Sequence, residues 1–311
     1  MSDGVWAGVD IGGTKTAVAL SSEPPEVLCR AEFPTRPAEG PRPAMDMIVK
    51  SLRGLLGSGR LRGIGVSCGG PLDSTAGVVQ APPNLSTWVD VPVNDILRTE
   101  FGAPCALEND ANAGAVAEHR FGAGKGARNM IFLTMGTGLG AGIIVDGRLY
   151  RGSCDAAGEI GHVRLTRSGP VGYHKAGSVE GWASGGGLGQ VAAAAVARAR
   201  QRGQATMLPI APTAKDVAEA ARAGDVLARK LIRSTGKRLG EALAILVDIL
   251  NPERIVIGGL AMRLGDDLLK PARSVLRREA LPGSAAVCEV VPALLNERIG
   301  DIAALCVAMG V

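Results

Sequence analysis

Asp10, Gly12, Gly13, Thr14 and Lys15 lie within one six-residue stretch, and their types suit an anion. Glycines let backbone amides approach anionic oxygens closely, and the threonine adds a hydroxyl. A second stretch, Gly136-Thr137-Gly138-Leu139-Gly140, repeats the theme. One glycine turn after a strand is structural more often than functional. Two of them, with an acid ahead of the first, favour phosphate. Asp10 adds what glycine lacks, a carboxylate that can hold Mg²⁺ through its water shell and so offset charge developing in phosphoryl transfer. A third stretch, Glu108-Asn109-Asp110, falls where a strand gives way to a helix. An aspartate there is ordinarily a helix N-cap, and it is also the kind of group that takes a proton from an attacking hydroxyl. The residues by themselves leave both roles open.

These groups need elements to hold them. β-compatible runs at 5–9 and 16–20 flank Gly12-Gly13 and predict a hairpin; runs at 130–135 and 141–145 flank the second turn in the same way. The repetition hints at a duplicated architecture. Met45, Ile48, Val49, Leu52, Leu55 and Leu56 recur at helical spacing, and a buried strand follows from Ile64. Strand 105–108 runs into helix-forming 111–118. Helices are predicted at 188–202, 214–223 and 226–250, the last stopped by Asn251-Pro252 ahead of a strand at 254–257.

Length argues for two lobes, since 311 residues exceed the roughly 250–300 at which single cores stop growing. A hydrophobic share of 46% and a charged share of 21% describe a globular protein, not a disordered one. The 34 basic and 30 acidic residues are spread along the chain without a basic block, so nucleic acid is not an expected partner. Cys29, Cys68, Cys105, Cys154, Cys288 and Cys306 are far apart, with no CxxC pair, and read as thiols in a reducing compartment. The N-terminus lacks a basic stretch followed by an apolar run, and no apolar window approaches the roughly 18 residues that span a bilayer. A cytoplasmic protein with no membrane partner is expected.

Asp10-Ile-Gly-Gly-Thr-Lys15, Glu108-Asn-Asp-Ala-Asn112, Thr137-Gly-Leu-Gly-Ala-Gly142, Gly158-Glu-Ile-Gly-His162 and Ile257-Gly-Gly259 follow one another across nearly the whole chain. Together they resemble the ROK family of sugar kinases and repressors. The resemblance implies an α/β, actin-like fold of the hexokinase and Hsp70 type, with ATP and a sugar meeting between two lobes. The expected division is a small lobe at 1–109, a large lobe at 110–295 and a C-terminal helix at 296–311 that returns to the small lobe. By resemblance, Asp10, Gly12, Gly13, Thr14 and Lys15 hold the β- and γ-phosphates, Gly136, Thr137 and Gly138 form the second phosphate turn, and Gly258-Gly259 contact adenosine. Asp110 becomes the general base, and Asn84, Asn109, Glu159, His162 and Glu180 hold the sugar. ATP, Mg²⁺ and a homodimer are also implied. Glucose is the default substrate among hexoses and N-acetylhexosamines.

One departure is plain. The family commonly holds a structural Zn²⁺ with this histidine and three cysteines; at the matching positions stand Val171, Tyr173 and Ser178. Closure through thiolates is impossible there, and no zinc is expected, with His174 and Cys154 as the nearby substitutes to watch. Two rivals stand beside the kinase. A sugar-responsive repressor would carry a DNA-binding module ahead of the phosphate motif, and only nine residues precede Asp10. A sugar-independent actin-fold ATPase would have no use for Glu159, His162 and Glu180.

Overall fold

Runs of valine, alanine and isoleucine interrupted by glycine set the first half of the chain. In the computed structural model, which describes residues 4–310, they form β1 (Val5–Ile11), β2 (Lys15–Ser21) and β3 (Cys29–Pro34), followed by α1 (Pro41–Leu56) and β4 (Leu61–Cys68). A short hairpin of β5 (Leu72–Asp73) and β6 (Val78–Val79) leads to α2 (Val93–Phe101), β7 (Cys105–Asn109) and α3 (Asp110–Phe121). The second half opens with β8 (Met130–Met135), β9 (Leu139–Val145) and β10 (Arg148–Tyr150), then the small hairpin β11 (Val171–Gly172) and β12 (Lys175–Ala176). Helices α4 (Val179–Ala183), α5 (Gly185–Gln201), α6 (Ala214–Arg222) and α7 (Val226–Leu250) follow, then β13 (Arg254–Ile257), α8 (Leu260–Leu264), α9 (Asp266–Glu279), α10 (Pro282–Val287), β14 (Glu289–Pro292) and α11 (Ile299–Ala308).

The two five-stranded sheets share one plan. The first runs β3-β2-β1-β4-β7 and the second β10-β9-β8-β13-β14. In each, three antiparallel strands precede two parallel additions. This is the duplicated, actin-like arrangement that the two glycine hairpins foreshadow.

The helix that ends each half packs on the sheet of the other. α11 lies on β1 and β4, while α3 lies on β8 and β9. Glycine permits both approaches: a Cβ on Gly65 would overlap the backbone of Ala304 and Ala308, and one on Gly142 would overlap the carbonyl of Ala111. Between the crossed helices sits an apolar cluster that includes Ala113, Val116, Phe132, Val256, Ile302 and Val307. It joins the core under the first sheet, built around Ile48, Leu52, Val66 and Trp88, to the larger core of the second half, around Leu133, Leu188, Leu239 and Ile257. Burial of these side chains stabilises each core by about 25 cal/mol per Å² of apolar surface removed from water.

Register brings the chemistry to one edge. Ile11 pairs with Cys68 and Cys68 with Asn109, so the first hairpin turn, the segment after β4 and the start of α3 leave the sheet side by side. In the second sheet Ile257 pairs with Leu133, which puts Gly258-Gly259 next to the second turn. Among the described residues, no helix is long and apolar enough to cross a membrane.

Candidate active site

The first turn is a tight one. Gly12 N–H donates to the Lys15 carbonyl at 3.0 Å, and Thr35, which sequence reading missed, holds it from behind through Oγ1 to the Gly12 carbonyl at 2.6 Å. Thr16 and Thr35 hydroxyls meet at 2.9 Å beneath it. Gly13 is needed for close approach, since a Cβ there would stand 2.6 Å from Cβ of Asn84. Asn84, carried on the 3-10 turn Pro83–Leu85, is thereby brought against the first hairpin. Lys15 Nζ lies 3.0 Å from Glu32 Oε2, so its ammonium is shared with β3.

Asp10 is half-buried at the end of β1, beside the Ser67 hydroxyl and against Gly300 at the start of α11. Its carboxyl is pushed up to about 7, first by burial, then by the negative charges of Asp110 and Asp301, with Lys15 opposing. Oxygen donors crowded this way fit a hard divalent cation, which would offset the repulsion. Among the described residues no three His, Cys, Asp or Glu groups converge closely enough to cage a metal alone. A cation here would keep water and phosphate oxygens as its other ligands, as Mg²⁺ commonly does.

The strand-to-helix junction separates two roles that the sequence left together. Asn109, not Asp110, is the N-cap of α3: its Oδ1 accepts from Ala111 N–H at 2.9 Å and from Asn112 N–H at 3.4 Å. Asp110 is the first helical residue and its Oδ1 takes only the Ala111 N–H, at 2.8 Å. Asp110 is open to solvent on one side, yet the surrounding protein strips enough water to raise its carboxyl above the usual range, against the pull of the Ala111 amide. A raised carboxylate is a stronger base. Beneath it, Glu108 is almost wholly buried and accepts from Arg151 Nε at 2.8 Å, from Asn112 Nδ2 at 2.9 Å and from Asn109 N–H at 3.0 Å. Arg151 comes from the segment after β10, so the strand-to-helix junction is fastened to the second half by an ion pair that nothing in the sequence announces.

That same segment leads to the remaining candidates. Glu159 precedes the 3-10 turn Ile160–His162, and Glu180 lies on α4. The Glu159 carboxyl is raised by burial, lowered by His162, and raised again by Glu180 and Asp110, so these four groups share one neighbourhood. Glu180 Oε2 also accepts the Leu139 N–H at 3.0 Å, which ties it to the second hairpin beside Gly138. The carbonyls of Gly136 and Thr137 accept from Gly185 and Gly186 at 2.8 and 3.0 Å, fixing that turn on the start of α5. Gly259 has φ 64° and a Cβ there would overlap the Met135 carbonyl, so only glycine fits. The loop ahead of Glu159 is held to the first half once more, by Ser74 N–H and Oγ donating to Asp155 Oδ2 at 3.0 and 2.7 Å.

A site of this kind, two glycine hairpins facing an acidic junction and a cluster of polar side chains, can be compared with known proteins. The ROK family description matches residues 6–309. The chain belongs to the ROK family. The glucokinase of Halalkalibacterium halodurans is 36% identical over 311 aligned residues, covering 97% of this chain and 94% of that protein. The solved structure of a ROK family glucokinase from Streptomyces griseus, in complex with glucose and AMPPNP, superposes with a TM-score of 0.83 at 32% identity, covering 98% of this chain and 99% of that one. A xylose repressor of Caldicellulosiruptor bescii is 31% identical over 88% of this chain and 70% of its own length. The ROK relationship carries the two-lobe actin-like fold described above.

Proposed function

We propose that this ROK-family sugar kinase moves the γ-phosphoryl group of Mg-ATP onto a hexose hydroxyl, with the 6-hydroxyl of glucose as the default acceptor. The observation that carries the reading is the Asn109-Asp110 pair: Asn109 caps the helix, so Asp110 need not, and its raised carboxyl lies within electrostatic reach of both Asp10 and Glu159. Asp110 accepts the hydroxyl proton as that oxygen attacks phosphorus, and the bond to the departing ADP oxygen breaks. Asn84, the Asn109 amide nitrogen, Glu159, His162 and Glu180 hold the ring hydroxyls, each bond costly to lose once buried. The Gly12–Lys15 and Gly136–Gly138 turns present backbone amides to the phosphates, and Gly258-Gly259 give adenosine a flat approach. Mg²⁺, when bound, supplies charge neutralisation on the β- and γ-oxygens. Asp10 is the residue that would hold the ion, through water.

A cytoplasmic homodimer completes the proposal, and gel filtration with light scattering checks the dimer. The deciding experiment is a panel of hexoses and N-acetylhexosamines offered with Mg-ATP and read as ADP release. Glucose-dependent turnover is expected; ADP release that ignores every sugar would overturn the reading in favour of a plain ATPase. The likeness to a xylose repressor gives the second reading its footing. Sugar-responsive, sequence-specific DNA retention in a gel-shift assay, with no turnover, would establish it instead.

A further inference from the structure

β11 and β12 pair Gly172 with Lys175, so the hairpin turns through Tyr173 and His174 alone. Both residues have positive φ, 41° and 63°. Two left-handed central residues mark the type I′ turn, where Asn-Gly is the favoured pair and a tyrosine-histidine pair bears strain. Strain of this sort persists where the surroundings impose it, and here it aims a ring. Tyr173 and His162 meet edge to face, with centroids 5.9 Å apart and planes at 73°; the His174 ring lies 5.7 Å from Tyr173, tilted by 50°. Lys175 Nζ from the same hairpin donates to the His162 carbonyl at 2.8 Å. His162 is therefore held through both its ring and its backbone by one two-stranded element.

The zinc that the ROK relationship implies does not fit these residues. Val171 offers no donor atom. Tyr173 is turned to His162. The Ser178 hydroxyl is spent as the cap of α4, accepting Gly181 N–H at 3.1 Å and donating to the Gly172 carbonyl at 3.4 Å. Among the described residues, no three His, Cys, Asp or Glu side chains are arranged so that they could hold a metal ion in place of the missing thiolates.

We propose that Tyr173 is a positioning residue for His162, and that this aromatic clasp, with Lys175, does the holding that a metal would otherwise do. The clasp turns the His162 ring toward the sugar; this rests on the reading of His162 as a sugar ligand. The hairpin thus belongs to substrate recognition and not to metal-dependent folding.

The full-length enzyme tests it in three readouts. First, purified protein should contain far less than one zinc per chain, and a chelator should leave its melting temperature unchanged. Second, the chain has three histidines, so their ring protons can be assigned by single replacement. Tyr173→Ala should move the His162 ring signals, and Tyr173→Phe should keep them. Third, Tyr173→Ala should raise the sugar KM about two- to tenfold, the size of an edge-to-face pair, with kcat and the ATP KM unchanged. Tyr173→Phe should restore the sugar KM, and Tyr173→Leu, which keeps bulk without the ring, should not. Tyr173 is 55% exposed, so these variants are expected to fold, and melting curves check it. Unmoved His162 signals and an unmoved sugar KM in Tyr173→Ala overturn the clasp, as does stoichiometric zinc ligated by His162. Moved signals with an unmoved sugar KM overturn the positioning role. His162→Ala then finds the fault: unchanged sugar affinity there condemns the reading of His162 and not the clasp.

Discussion

The two halves repeat one backbone plan and load it differently. β1 reaches its turn through Asp10-Ile11, whereas β8 reaches the corresponding turn through Thr134-Met135. β7 delivers Asn109-Asp110 to the start of α3, so two carboxylates meet at the first turn, where the charge of Asp110 helps to push the Asp10 carboxyl upward. The second half offers neutral backbone at its turn and borrows Glu180 from α4 to hold it. Duplication supplied the geometry twice; side chains divided the labour. The turn led by Asp10 suits a cation as well as phosphate oxygens, whereas at the second turn the one neighbouring carboxylate, Glu180, is engaged by the Leu139 N–H; an unengaged carboxylate would repel a phosphate oxygen by about 1 kcal/mol per pair at 4 Å even in water.

The largest effect should come from the acidic side. Asp110→Asn is expected to lower kcat by about two to four orders of magnitude while sugar and ATP KM stay within a few-fold, measured by coupled ADP release. Asn109 still caps the helix, so the melting temperature should barely move, and wild-type turnover would strip Asp110 of its role. Arg151→Met cuts the tie between halves and strands Glu108, only 1% exposed, without its partner. A loss of about 3 kcal/mol in denaturant unfolding is expected, the low end for a broken buried pair because Arg151 reaches solvent.

Matched lesions sharpen the comparison. Gly65→Ala and Gly142→Ala each force a crossed helix off its sheet, and each should cost about 1–3 kcal/mol of stability. Only Gly142→Ala presses on the helix that begins with Asp110, so it should also lower kcat, whereas equal kinetic damage from both would erase the distinction. The smallest effect concerns Asp10, whose folded-state carboxyl titrates near 7 against an ordinary 3.8. The folded state therefore binds the extra proton between those values, and ionised Asp10 costs stability that is fully felt above pH 7 and fades as pH falls toward 3.8. Asp10→Asn should melt higher than wild type at pH 8 without Mg-ATP, with the gain shrinking at pH 5, even as its Mg-ATP KM rises. A constant gain across that window would contradict the assigned cause.

Local rules made much of this legible. α7 spans 226–250 as its periodicity indicated, because Asn251-Pro252 closes it, and both hairpins fall where glycine interrupts β-compatible runs. α5 begins at Gly185, three residues ahead of its periodic run, because glycine hides a helix start. The Ser184 cap and the bonds from Gly185 and Gly186 to the second turn pull those glycines into helix. β3 alternates half-buried and exposed residues at a sheet edge, and α9 contains Pro271, so neither carries a clean signal. At the site, the sequence named the junction but not which residue caps it, a difference of one position decided by side-chain hydrogen bonds. Arg151 and Thr35 were invisible for another reason. Each acts on residues far away in the chain, and a single sequence records no such distances.

The crossed helices bear on how the chain comes into being. α3 is made just before β8 and β9, so the second sheet finds its cover waiting as it forms. The first sheet has no such luck: β1, β2 and β4 emerge before the whole second sheet, and α11, which covers β1 and β4, is made only after it. Until then a stripe through Gly8, Gly63 and Gly65 stays bare. Contacts between β1 and α11 join segments almost 300 residues apart, about the separation of Val5 and Ile299, and such closures are slow. The N-terminal half therefore waits for the C-terminal one on the ribosome, and a chain cut between the halves yields no pair of self-sufficient domains.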